Sequence, residues 1–256
     1  RFCQAGMITR PVRERPAEQV RTMVAEGLRR TGYDEVSLTS LSTADFSGIQ
    51  EVVAAAVADD ACGQVSVSLP SLRGDAFTGG IAAELQKARR TGLTFAPEAG
   101  TWRMRQVINK LISEEDLYAA VEAAYSQGWR RVKLYFLTGL PTETDEDTLA
   151  ILEMARKCIE VGRTHQRSPT VTVSVGGFVP KPFTPFQWFG QNTENELRRK
   201  VGLLRDELKR KPKIYRGVQL KWHDARASVV EGMMSRGDRR LGRVIEDVWR
   251  AGGVFQ

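Results

Sequence analysis

Five short runs rich in β-branched and aromatic residues punctuate the chain: EVSLTSL from Glu35, VSVSL from Val65, LTFA from Leu93, VKLYFL from Val132 and VTVSVGGF from Val171. Their lengths and residue types predict strands. Between them apolar residues recur at helical spacing. From Pro16 to Arg30, Val20, Met23, Val24 and Leu28 share one helical face that should pack on a sheet, and Gly32 follows. Ser113 with Asp116, and Thr193 with Glu196, have the spacing of a capping box at a helix start. The second pair leads into Leu197, Val201, Leu204 and Leu208, an apolar stripe that Pro212 brings to an end.

Alternating helix and strand, with connections long enough for parallel pairing, predicts an α/β protein built on a parallel sheet. A doubly wound sheet is the alternative. In α/β barrels the chemistry gathers in loops at the carboxyl ends of strands, and these loops are informative here. After the first run, Ser40, Ser42 and Thr43 offer hydroxyls to a charged amine, or form an ordinary Ser/Thr turn that Asp45 stabilises. After the second, Arg73 suits an anionic group, or pairs with Asp75. After the third, Glu98 stands between Pro97 and Gly100, placed to accept ribose hydroxyls or to pair with Arg103 or Arg105. After the fourth, Gly139 and Leu140 offer close backbone approach and an apolar face to a ring, while Glu143 to Asp147 load a helix N-terminus with negative charge. After the fifth, FVPKPFTPFQW sets Lys181 between prolines ahead of Phe183, Phe186 and Trp188, as a lid or as an apolar plug.

A chain of 256 residues, 41% hydrophobic, is long enough for one large core of barrel size. Its three cysteines, Cys3, Cys62 and Cys158, make no disulfide framework and point to a reducing cytoplasm. No apolar run approaches the roughly 20 residues that span a membrane, so no membrane partner is expected. The net charge of +7 sits entirely in the last quarter, where residues 193–256 hold 16 basic and 9 acidic side chains. Arg236, Arg239, Arg240 and Arg243 in that region suit RNA phosphates, or bridge neighbouring carboxylates.

The chain opens on RFCQAG, which resembles the last arm of the C-x3-C-x2-C signature of radical S-adenosylmethionine (SAM) enzymes. RPVRER, VSLTSLST, VSVSLPSLR, TGLTFAPEAGT, VINK, VKLYFLTGLPTETDED, FVPKPFTPFQW and SRGDRRL follow in order. Together they resemble the uncharacterised radical SAM proteins that carry an N-terminal cobalamin-binding-like domain, over nearly the whole chain.

The resemblance implies a partial (βα)6 TIM-like barrel of the radical SAM type over residues 1–192, truncated at its N-terminus with the first strand missing. A basic α/β C-terminal extension, 193–256, would pack on it. It implies a 4Fe-4S cluster that reductively splits SAM to a deoxyadenosyl radical, an electron donor such as flavodoxin or ferredoxin, and cobalamin through a missing N-terminal domain. Carried onto this sequence, Cys3 is the last cluster ligand, and Ser40, Ser42 and Thr43 hold the SAM amino group. Ser68 and Arg73 are further cofactor contacts, Glu98 meets the ribose, and Gly139 with Leu140 meets the adenine. With the first two cluster cysteines absent, the chain by itself is expected to be cluster-deficient and inactive. Neither His165 nor His223 lies in a His-x-x-Gly cobalamin signature. The substrate is not identified by these motifs, and a non-catalytic module that binds RNA through its basic end is the competing expectation.

Overall fold

The computed structural model describes residues 1–58, 65–69 and 92–253. Each of the five runs forms a strand: β1 (Glu35–Ser37), β2 (Ser66–Ser68), β3 (Leu93–Glu98), β4 (Arg131–Thr138) and β5 (Thr170–Gly177). A sixth, β6 (Val218–Trp222), lies outside the five runs, although Val218, Leu220 and Trp222 alternate with Gln219 and Lys221 as in a half-buried strand. Among the described residues all pairings are parallel. Strands β1 and β2 form one sheet, and β3-β4-β5-β6 form a second in that order. The four-stranded sheet therefore runs on past residue 192.

Helices alternate with these strands: α1 (Gln4–Ile8), α2 (Ala17–Thr31), α3 (Ile49–Ala58), α4 (Trp102–Val107), α5 (Glu114–Ser126), α6 (Asp145–Arg163), α7 (Glu194–Arg210), α8 (Ala225–Arg236) and α9 (Leu241–Arg250). Helix α2 ends where Gly32 takes φ 71°, a left-handed cap that glycine adopts freely. Its buried face is narrower than the spacing suggests. Val24 and Leu28 are buried, but Met23 is 54% exposed. Ser113 and Asp116 form the full reciprocal capping box of α5. Thr193 caps α7 through the Glu196 amide at 3.2 Å, whereas the Glu196 carboxylate turns to Arg199, leaving half a box.

Apolar and polar residues alternate along the strands of the larger sheet, although in β5 the polar Thr172 and Ser174 are buried as well. Leu93 and Phe95, Val132, Leu134 and Phe136, and Val171, Val173 and Val175 point into one core, which α5 and α6 complete with Leu117, Val121, Ile151 and Leu152. Burying each such side chain stabilises the fold by about 1.5–3 kcal/mol. The opposite face is polar. Thr94, Lys133, Thr172 and Gln219 stand in one row across the four strands, and Tyr135, Ser174 and Lys221 form the next. Parallel sheets usually bury both faces behind near-continuous apolar runs; this face is polar instead, buried at Thr172 and Ser174 and exposed at Tyr135 and Lys221. Beyond it Leu137 turns into a second cluster of Ala99, Met104, Ile108, Leu140, Phe178 and Phe186, with Phe2 packed at its edge.

Candidate functional site

That second cluster sits where β3, β4 and β5 end, because Ala99, Leu140 and Phe178 lie just beyond their last residues. It also anchors the N-terminal segment. The Arg1 main-chain nitrogen donates to the Ile108 carbonyl at 2.7 Å, the Phe186 amide donates to the Arg1 carbonyl at 3.2 Å, and Phe2 packs among the same side chains. Cys3 is thereby held at the carboxyl edge of the sheet. Its Sγ is exposed and accepts the Gly6 amide at 3.4 Å as the cap of α1.

Glu98 closes β3 in the left-handed region at φ 68°, a conformation that costs a non-glycine residue about 1–3 kcal/mol and is found often at functional sites. Its carboxylate pairs with Lys110 at 3.1 Å, with both side chains largely buried. Burial pushes the Glu98 carboxyl up, and Lys110 pulls it partly back. Neither of the expected partners reaches it. Arg103 instead donates to the Thr142 carbonyl at 2.9 Å and pairs with Asp147. Arg105 is buried beneath the turn, donating to the carbonyls of Ala99 at 3.2 Å and Gly100 at 3.3 Å, with Glu114 3.5 Å away. Gly100 presses on α6 so closely that a Cβ there would lie 2.5 Å from the Ile151 nitrogen.

The turn after β4 is equally fixed. Gly139 takes φ 81°, and its amide donates to Glu143 Oε2 at 2.6 Å. Thr138 donates to the same oxygen at 3.1 Å, and Lys200 of α7 pairs with it at 3.0 Å. Glu143 thus does not lie at the helix start with its acidic neighbours but is buried, together with Lys200. Burial pushes its carboxyl up against the pull of Lys200, the Gly139 amide and the Thr138 hydroxyl. Asp147 does cap α6, through Thr144, and also accepts from Thr101 at 2.6 Å. It joins the β3 and β4 turns. A Cβ at Gly139 would meet Asn192 and Leu197, so glycine is required there by packing as well as by φ.

Ser40, Ser42, Thr43 and Ser68 lie at the corresponding edge of the β1–β2 sheet. Ser40 Oγ lies 3.2 Å from Thr43 Oγ1, which donates to the Leu38 carbonyl at 3.2 Å, and Ser42 donates to Asp45. These residues line a cavity of about 550 Å³ shared with Arg13, Val20 and Phe46. Ser68 holds the loop's start, its carbonyl accepting the Leu38 amide at 3.0 Å. Arg73 lies outside the described residues. The proline-rich loop is divided in role: Phe186 is buried edge-on to Phe178, whereas Phe183 and Trp188 are exposed and Lys181 is tied to Ser235 and Glu231 of α8.

A family model of the radical SAM superfamily matches residues 1–155. The chain belongs to that superfamily. It is also 30% identical to the uncharacterised protein MJ0966 of Methanocaldococcus jannaschii over 246 residues, 96% of this chain and 51% of that protein. The chain thus spans about half the length of the relative. The cluster and SAM contacts expected from the sequence all fall within the matched residues, whereas the candidate lid and the basic end lie beyond them. Lys110, Arg105 and the Glu143–Lys200 pair could not be found that way, since their partners are set by the fold.

At the basic end, Arg240 pairs with Asp238 at 2.8 Å and Arg250 with Glu246, so part of its charge is internally neutralised. Among the described residues no helix is long and apolar enough to cross a membrane. The cysteines differ sharply: Cys158 is fully buried, and burial, with Glu114 near it, pushes its thiol well up. In a Cys62→Ala chain, one thiol is expected to react rapidly with an aromatic disulfide reagent. Peptide mapping should place the label on Cys3, with Cys158 reacting only on unfolding. Rapid labelling of Cys158 in the folded chain would contradict this burial.

Proposed function

We propose that this chain is the SAM-cleaving core of a radical enzyme, built as a partial barrel whose cofactor edge is the carboxyl end of its strands. One observation carries this reading: the segment bearing Cys3 is packed onto the same edge that presents the Glu98 turn and the Gly139 turn. The residues fit the nucleoside end of SAM well. Glu98 is a buried acceptor suited to ribose hydroxyls, and Leu140 is an apolar neighbour for adenine beside a glycine turn fixed by Glu143 and Lys200. The Ser40, Ser42 and Thr43 hydroxyls suit the amino group, Ser68 supports their loop, and Arg73 suits the carboxylate.

The metal end fits in part. Cys3 offers one exposed thiol, and among the described residues no group of three or more His, Cys, Asp or Glu is arranged to hold a metal. A 4Fe-4S cluster would be held here in part by Cys3 and would supply the electron for SAM cleavage, drawn from a donor such as flavodoxin or ferredoxin. The chain's own work is to bind and orient: Glu98 and the Gly139 turn set the nucleoside, and the second apolar cluster beneath them keeps water out.

An extension upstream placing Cys-x3-Cys-x2 in register with Cys3 tests the reading. Reconstituted without oxygen, that chain is expected to hold about four irons and, given a reductant, to release 5′-deoxyadenosine from SAM. The 256-residue chain and the extended Cys3→Ala variant should both fall well short of that iron content. A full cluster without Cys3, or no cleavage by the loaded chain, would overturn the proposal.

A further inference from the structure

The polar face of the four-stranded sheet is not explained by SAM binding. Its two rows place Lys133 between Thr94 and Thr172, and Ser174 between Tyr135 and Lys221. The Lys133 ammonium donates to the Tyr135 hydroxyl at 2.6 Å and lies 4.2 Å from the centre of its ring. Among the described residues neither Lys133 nor Lys221 makes an ion pair, although most other charged side chains of the core region do. Tyr135 is 37% exposed on a central strand, where a parallel sheet ordinarily buries apolar side chains.

Sequence alternation makes this arrangement deliberate in a physical sense. In β4 the core face is Val132, Leu134 and Phe136, and the residues between them are Lys133 and Tyr135. A one-residue change of register would bury the lysine and expose the core. Lys133 and Lys221 lie two strands apart and two residues apart along them, about 12 Å by strand spacing and rise. Lysine side chains are long enough for both ammoniums to converge between them, above the Ser174 hydroxyl. The same face runs on through Leu137 into the cluster that anchors Phe2, the neighbour of Cys3.

We propose that this face binds the phosphate group of a small organic molecule, held by Lys133 and Lys221 with hydroxyls from Ser174 and Tyr135. Two uncompensated cations beside hydroxyl donors match a phosphate, which lysine recognises as a point charge. The Tyr135 ring gives the organic part a flat neighbour. Calling this molecule the substrate rests on the radical reading above; its binding does not.

Calorimetric titration of the 256-residue chain with phenyl phosphate tests the site, with phenol and benzoate as comparators. Saturable binding of phenyl phosphate is expected, weakened at least tenfold by Lys133→Met and by Lys221→Met, each shown to be folded by circular dichroism. Lys209→Met, on α7, controls for the general positive charge and should leave binding unchanged. Phenol should not bind. Absent binding, binding by both sheet-face variants as tight as by the unaltered chain, or tighter binding of benzoate would each overturn the proposal. S-adenosylhomocysteine binding, measured in the same chains, keeps the two readings apart. Its loss in the unaltered chain speaks against the radical reading alone, and it should persist in Lys133→Met.

Discussion

Lys200→Met is expected to lower the stability of the fold by about 3–5 kcal/mol, the usual result of leaving one member of a buried ion pair without the other. Lys200 and Glu143 are 5% and 3% exposed, so no solvent is at hand to replace the lost partner. The deficit should depend on pH in a defined sense. Burial already raises the Glu143 carboxyl in the fold, and removing Lys200 takes away a pull in the opposite direction. A carboxyl raised in the folded state favours folding most fully below its ordinary value, about 4.3, and that contribution is lost as pH rises through the raised value. The destabilisation should therefore be smallest in acid and grow toward neutrality. Urea unfolding at pH 4.5 and pH 8 measures it, and equal deficits at both would show that Glu143 keeps its charge without Lys200. The double change Glu143→Leu with Lys200→Met should recover part of the loss, since no buried charge is then stranded.

The second large effect concerns ligand binding. Glu98→Ala is expected to weaken S-adenosylhomocysteine binding by about 1–3 kcal/mol, the range for a hydrogen bond to a charged group or a stranded buried partner. In dissociation constants that is roughly five- to 150-fold. Lys110→Arg provides the contrast, because it alters the ion pair while keeping a cation beside the carboxylate. If Glu98 meets the ribose, calorimetry should show the alanine variant crippled and the Lys110 variant close to normal. Equal losses in both would reduce Glu98 to a structural partner of Lys110.

Much of the fold could be read from the chain because its strands are marked by β-branched runs and its helices by caps. Val132, Leu134 and Phe136 alternate so regularly that both faces of β4 follow from the sequence. Strand β6 is less legible: it is five residues long, has one β-branched residue, Val218, and follows the basic stretch of Lys211, Lys213 and Arg216. The Glu98 partner was obscured for a different reason. Arg103 and Arg105 are nearest in sequence, but α4 carries one toward Asp147 and the other beneath the turn. The chain reverses at Asn109, φ 59°, and delivers Lys110 to the carboxylate instead. Glu143 looked like one more acid at a helix start, and only the packing of α7 supplies the lysine 57 positions later that buries it. Carboxyl-end loops could be located from sequence; which charge meets which could not.

The contact between Gly100 and α6 bears on how substitution data for this protein are to be understood. A methyl group at that position would sit 2.5 Å from the Ile151 nitrogen and 2.7 Å from the Ala150 carbonyl carbon, so even alanine must push the helix off the strand ends. In a saturation screen, position 100 should be as intolerant as a residue that touches SAM, despite having no side chain to offer any ligand. Yet the lesion would be distinguishable: Gly100→Ala should lower the melting temperature and the yield of soluble protein, whereas an exposed ligand contact such as Ser40 should leave both near normal. Fitness alone would rank the two together.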